Sequence, residues 1–142
     1  MLTVSHLLRV KGDQVFSVAP TDTVLHAIEL MAARQVGALL VMSQGALVGI
    51  ISERDYARKI ILKKRLSHDT PVEDIMSADP ITVSVDDTLH HCMEIMTERR
   101  FRHLPVMESG QVVGMLSIGD LVKAVIADQT ETIEQLERYI AG

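Results

Sequence analysis

Two short stretches hold the residues whose types and spacing could do chemistry. They are Gly49-Ile50-Ile51-Ser52-Glu53-Arg54-Asp55 and Gly114-Met115-Leu116-Ser117-Ile118-Gly119-Asp120. In each, an apolar strand meets Ser-x-x-Asp at the start of a predicted helix. A helix N-terminus presents unpaired N–H groups and the positive end of its dipole, which suit phosphate. A carboxylate repels phosphate but accepts both hydroxyls of a ribose diol, and the Ser hydroxyl bridges to either group. Gly on the strand lets a ligand approach the backbone closely. Apolar strands on either side can sandwich a purine. The same spacing also describes a capping box, in which Ser and an acid three residues later satisfy the first N–H groups of the helix. Asp is less usual than Glu in that role. Both readings stay open on the motif, and its recurrence as Gly-x-x-Ser-x-x-Asp weighs toward a ligand.

The elements that must position these residues occur twice. A slide of 65 positions aligns residues 18–61 with 83–126 without a gap, and 16 of those 44 positions are identical. The matches include Asp22/Asp87, Thr23/Thr88, Arg34/Arg99, Gly45/Gly110 and Gly49/Gly114. Upstream, Leu7 and Val10 fall on Val72 and Ile75. One unit used twice must pack against its copy to cover its own apolar face.

Residues 3–11 read as a short helix ended by Gly12, and 15–18 as a short strand. Pro20-Thr21-Asp22 is turn chemistry, with Asp22 the predicted N-cap of the next helix. Val24, Ala27, Ile28 and Met31 then recur at helical spacing, as do Leu89, Cys92, Met93 and Met96. Leu39–Met42 and Leu47–Ile51 are apolar strands joined at Ser43-Gln44-Gly45. A helix is predicted from Glu53 to about Lys63. The unit is therefore strand, helix, strand, strand, helix. The segment from Leu62 to Pro71, basic at Lys63-Lys64-Arg65, reads as a solvated linker. Asp128 to Ile140 reads as an added amphipathic helix carrying Ile133, Leu136 and Ile140.

The totals exclude several classes. A chain of 142 residues buries about 70% of its unfolded surface and needs no metal or disulfide to fold. Hydrophobic residues make up 47% but aromatics only 3%, so the core is aliphatic with eight Met as filler. A net charge of −5 argues against a general DNA binder and against adsorption to anionic membranes. No apolar run reaches the roughly 18–20 residues of a bilayer span. With no secretory signal pattern, the cytoplasm is the expected location. The single Cys92 excludes a disulfide framework and a Cys-rich zinc site, and its helical apolar position predicts burial. His90 and His91 are adjacent, not at i, i+4 ligand spacing. No nucleophile motif, phosphate loop or metal cluster accompanies Glu53 and Asp55, so no enzyme is expected.

The duplicated unit resembles the cystathionine β-synthase (CBS) domain, and the pair resembles a Bateman module. The resemblance rests on the strand-helix-strand-strand-helix order and on the two Gly-x-x-Ser-x-x-Asp stretches. It rests also on Val36-Gly37-Ala38-Leu39-Leu40-Val41-Met42 and Phe101-Arg102-His103-Leu104-Pro105-Val106-Met107. It implies an α+β fold of two tandem β-α-β-β-α motifs related by pseudo-two-fold symmetry, with a C-terminal helix added. The expected boundaries are 3–63, a linker 64–71, 72–127 and a C-terminal helix 128–142. It implies two clefts between the domains, each mixing residues of both. One would use Ser52, Arg54 and Asp55 with Met76, Ser77, Asp79, Ile81, Phe101, Arg102 and His103. The other would use Ser117, Gly119 and Asp120 with Lys11, Gly12, Gln14, Phe16, Val36, Gly37 and Ala38.

The first cleft gathers Arg54, Arg102 and His103 where phosphates should lie, and the second has Lys11 as its main cation. The Asp55 cleft is thus expected to bind phosphorylated adenosine more tightly, although Asp79 counts against polyphosphates. The resemblance implies a regulatory, signal-transducing module that senses AMP, ADP or ATP. AMP is the first choice of ligand, NAD or another adenosyl compound an alternative, and no cofactor is required. It also implies a homodimer acting on a regulated protein. The rival reading is a partner-binding scaffold with vestigial clefts.

Overall fold

The computed structural model describes residues 2–12 and 14–141. The elements run α1 (Val4–Lys11), β1 (Ser17–Val18), α2 (Val24–Arg34), β2 (Ala38–Ser43), β3 (Ala46–Ser52) and α3 (Glu53–Tyr56), which continues as a π-helical turn, Ala57–Ile61. A 3-10 turn, Val72–Asp74, opens the second half. Then come β4 (Ser77–Ala78), β5 (Val83–Ser84), α4 (Leu89–Arg99), β6 (His103–Glu108), β7 (Gln111–Ser117) and α5 (Ile118–Ala141). Two sheets form, in the orders β1-β2-β3-β4 and β5-β6-β7. This is the α+β pair of repeated motifs expected from the sequence.

The repeat holds at the level of single hydrogen bonds. Ala38 pairs with Ser52 and His103 with Ser117, and both hairpins carry a register shift at the same step, Val41/Met42 and Val106/Met107. Each hairpin turns through residues with positive φ, Gln44-Gly45 and Ser109-Gly110. Each central helix ends on a left-handed residue, Gln35 or Arg100. Thr23 and Thr88 cap α2 and α4, accepting from the amides of His26 and His91. Asp22, the expected cap, instead closes the preceding turn by accepting from the Ala19 amide, as Asp87 does from Ser84. One residue nearer the helix, Thr23 has the reach to the N3 amide and Asp22 does not.

The units exchange their leading segments. Val4 and Leu7 of α1 are buried with Val83, Leu89, Leu104 and Leu121 of the second unit. Val72 and Ile75 are buried with Val24, Leu39, Val41 and Ile51 of the first. The backbone follows: the Val4 amide donates to the Asp87 carbonyl and the Val72 amide to the Asp22 carbonyl. The segment expected to be a solvated linker takes part. Thr70 is buried and accepts from the Val24 amide through its carbonyl, while Ser67 accepts from Leu25, so the linker satisfies free amides of α2. A third core, Ala38, Leu40 and Ile50 with Val112 and Met115, joins the two sheets. The C-terminal helix is present, but as a continuation of α5 over 24 residues and not as a separate element. No Gly or Pro interrupts the chain between Asp120 and Ala141, so nothing ends the helix. Gly142, the end of the expected segment, lies outside the described residues.

The strand glycines serve this exchange. A Cβ on Gly49 would lie 2.6 Å from Met76 Sδ and 2.9 Å from the Ser77 carbonyl oxygen. A Cβ on Gly114 would lie 2.7 Å from Leu8 Cδ2. The space at both glycines is taken by the crossing segments, not left for a ligand as the sequence suggested. Gly49→Ala is expected to cost ~1–3 kcal/mol in urea denaturation, because a backbone oxygen must move. Gly114→Ala should cost less, since the Leu8 side chain can rotate. Equal losses would contradict this packing.

Candidate functional site

The C-terminal ends of β3 and β7 turn directly into α3 and α5, and Ser-x-x-Asp sits at each turn. In both, the motif is a formed capping box. Asp55 Oδ2 accepts from the Ser52 amide at 3.0 Å and from its hydroxyl at 3.1 Å, while the Asp55 amide donates to Ser52 Oγ at 3.2 Å. Asp120 Oδ2 accepts from the Ser117 amide at 2.8 Å, and the Asp120 amide donates to Ser117 Oγ at 3.1 Å. The two readings of the motif are therefore not exclusive. The cap fixes each carboxylate, and what surrounds it decides what else it can do.

Around Asp55 there is a cavity of about 810 Å³. It lies between the start of α3, the β4 strand with the Asp79–Ile81 loop, and the segment from Arg99 to His103. Ser52, Arg54, Asp55, Ser77, Asp79, Ile81, Phe101, Arg102 and His103 all line it. Met76 does not, because its side chain fills the space over Gly49. Six cationic side chains face this cavity: Arg54, Arg58, Lys59, Arg99, Arg100 and Arg102. Against three carboxylates, Glu53, Asp55 and Asp79, that is an excess of three positive charges on a chain of net −5. Lys59 Nζ lies 3.3 Å from Asp55 Oδ1 and donates to the Ile75 carbonyl. Arg54 reaches the Arg100 carbonyl at 3.5 Å.

Sequence reasoning missed four of these cations. Arg58 and Lys59 lie one helical turn beyond Arg54 and Asp55, so helical spacing could have found them. Arg99 and Arg100 precede Arg102 in a basic run interrupted only by Phe101. The cavity also takes Gly37, which the sequence placed in the other cleft. The direction of its absent side chain points 3.8 Å from the His103 ring. His103 thus stands between the two units. Burial lowers its pKa from the ordinary 6.5, and the charges of Lys11 and Arg102 lower it further against the opposing pull of Asp120.

Of the residues expected to form the second cleft, Lys11, Ser117 and Asp120 are joined by hydrogen bonds. Phe16 and Val36 pack on the first unit's core, with Arg34 lying 5.1 Å over the Phe16 ring. Ala38 is buried between the sheets. Gln14 and Gly119 are exposed, and Gly12 caps α1. From the first unit Lys11 reaches Asp120, donating to its Oδ2 and to the Met115 carbonyl. Burial disfavours the charged form of Asp120, but bonds from Lys11 and Ser117 and the Lys11 charge outweigh it and hold the carboxyl below its ordinary 3.8. The only cation expected for a ligand here is spent on the protein's own carboxylate. Buried Cys92 packs in the second core, where burial pushes its thiol up to about 11.

The family description for the CBS domain matches twice, over residues 2–62 and 72–127. The chain belongs to the CBS-domain family. This CBS pair is 40% identical over 149 residues to the CBS domain-containing protein CBSX3, mitochondrial, of Arabidopsis thaliana, covering 99% of this chain and 72% of that protein. A solved CBS domain designated NE2398 is 49% identical with a TM-score of 0.84, covering 87% of this chain and 97% of that one. The CBS domain protein PAE2072 from Pyrobaculum aerophilum, solved as a complex with AMP, is 30% identical with a TM-score of 0.74, covering 84% and 89% of the two chains. No described helix of this CBS pair is long and apolar enough to cross a membrane.

The His103 environment has a consequence for stability. A histidine whose pKa is lowered by folding binds its proton less well in the native state than in the unfolded one. Its contribution to stability is therefore complete above 6.5 and is lost as pH falls through that value toward the lower native pKa. NMR titration should find the His103 midpoint below 6.5, and His103→Gln should flatten the acid side of the stability profile. A midpoint at or above 6.5 would contradict the assignment.

Proposed function

We propose that the chain is a non-enzymatic regulatory module that binds an adenine nucleotide in the Asp55 cleft. AMP is the favoured ligand, and ADP, ATP and NAD are the alternatives to test. The observation that carries the reading is the cation-rich cavity built across both units, with a fixed carboxylate at one end. Arg54, Arg102 and their neighbours suit phosphate. Asp55 lines the cavity, and its Oδ1 suits a ribose diol, with Lys59 moving aside. Ile81 and Phe101 offer apolar surface for a base. The AMP complex of the Pyrobaculum aerophilum relative supports this ligand class.

The Asp120 cleft is read differently. Lys11 occupies it, so the module takes one nucleotide per chain. This is where the rival reading of vestigial clefts has support, for one cleft of the two. A ligand that bridges both units in the Asp55 cleft would fix their relative position. The signal would then pass, through a homodimer, to a separate regulated protein.

A thermal-shift panel with AMP, ADP, ATP, NAD and S-adenosylmethionine tests the reading. A ligand at 100 times its Kd adds about 2.7 kcal/mol, or roughly 5–10 °C for a domain of this size. Calorimetry should give one site per chain. Arg102→Ala removes one charged contact worth about 1.5–3 kcal/mol, a loss of roughly 10- to 150-fold in affinity. No shift with any of the five compounds would sink the sensor reading in favour of a scaffold.

A further inference from the structure

His103 stands where both units meet the Asp55 cavity. It lines that cavity, and it opens β6 opposite Ser117 of the second junction. The 65-residue repeat places Ala38 at the equivalent position, and Ala38 is buried between the sheets. The start of this strand therefore folds with a methyl group in one copy, and the imidazole in the other is an addition that the repeat does not need. Gly37 leaves room for it. A Cβ on Gly37 would lie 3.8 Å from the His103 ring and 3.9 Å from Glu53 Cδ. The Glu53 amide donates to the Gly37 carbonyl at 3.0 Å, which fixes this corner of the first unit.

The charges around the ring come from several elements. Arg102 precedes it in the chain, and Glu53 at the start of α3 lies across Gly37 from it. Lys11 of α1 and Asp120 of α5 act on it from the other side. Those two are hydrogen-bonded to each other, so their opposite effects stay fixed. On the cavity side, Arg54, Arg58, Lys59, Arg99 and Arg100 stand against Asp55 and Asp79. Burial disfavours a charged imidazole here, and the neighbouring cations disfavour it further. A phosphate entering the cavity brings the opposite charge and so favours the imidazolium.

We propose that an anionic nucleotide in the Asp55 cavity brings a proton with it onto His103, so that ligand binding and pH are coupled. The proton comes from solvent and stays on the imidazole while the ligand is bound. The ligand-bound protein then holds more protons than the free one. Affinity therefore rises as pH falls through the interval between the His103 midpoints of the free and bound protein. The phosphate of the ligand has its own ionisation near 6 and binds less well once protonated, an effect of opposite sign. That effect is common to any variant of the protein, so a variant lacking the imidazole separates the two. The coupling rests on the nucleotide reading given above and adds to it a second signal, acidity, read by the same cleft.

NMR titration of the full chain, with and without saturating AMP, tests it. The His103 signal is the one of six imidazole signals missing from His103→Gln. Its midpoint should rise on addition of AMP by at least about half a unit, a roughly threefold tighter hold on the proton. The ratio of wild-type to His103→Gln affinity for AMP, by calorimetry, should rise about threefold or more from about pH 8 to about pH 5.5. Calorimetry in two buffers of different ionisation heat should show more proton uptake by the wild type than by the variant. The wild-type midpoint decides the matter even where the variant fails to fold, since through-bond spectra assign the ring independently. A wild-type chain that binds no AMP at any pH overturns the nucleotide reading and the coupling with it. AMP binding that leaves the His103 midpoint unmoved or lowers it overturns the coupling alone, as does an affinity ratio that does not change with pH.

Discussion

One oxygen of the Asp55 carboxylate is committed to the backbone. Oδ2 takes the Ser52 amide and hydroxyl, which starts α3 at the end of β3. The other oxygen lies 3.3 Å from Lys59 Nζ, and Asp55 lines the cavity. This tie places a carboxylate at a set point on a rigid strand-helix turn. The cations of α3 then follow by helical spacing, and those of the Arg99–His103 segment arrive from the other unit. A ligand held here touches both halves of the molecule. The geometry of the site is thus the geometry of the fold.

The same tie exists at Asp120, and the difference between the sites lies in the segment that crosses over each. Position 11 and position 76 are equivalent in the repeat. Met76 turns inward over Gly49 and leaves Asp55 open to the cavity. Lys11 extends to Asp120 and closes that junction with its own charge. Duplication supplied two equal frames, and one crossing side chain in each made them unequal. His103, between the frames, feels both Lys11 and Arg102, so its protonation reports on both.

Much of this was legible in the sequence because it is local or periodic. The 65-residue slide, the hairpin turns, the apolar helical stripes and the Ser-x-x-Asp junctions each follow from neighbours in the chain. What was not legible depends on side-chain reach after the exchange of leading segments. Lys11 was read as a ligand cation, and only the fold shows it bonded to Asp120. Met76 was read as a cleft residue, and only the fold shows it packed on Gly49. Gly37 was given to one cleft and stands beside His103 in the other. Phe16 and Val36 were expected at a site and pack, partly buried, against the first unit's core, and Ala38 is buried between the sheets, because apolar residues at a strand's start serve packing as well as a ligand. The cap of α2 was missed by one residue, where Asp22 and Thr23 are both good cap formers and backbone geometry decides.

The central claim is that a single nucleotide binds across the two units at Asp55 while the Asp120 junction stays closed. A crystal structure of the chain grown with excess AMP tests it most directly. The account predicts one nucleotide per chain, its ribose on Asp55 and its phosphate among Arg54, Arg102 and their neighbours, with Lys11 still bonded to Asp120. A nucleotide seated on Asp120 with the Asp55 cavity empty would contradict it.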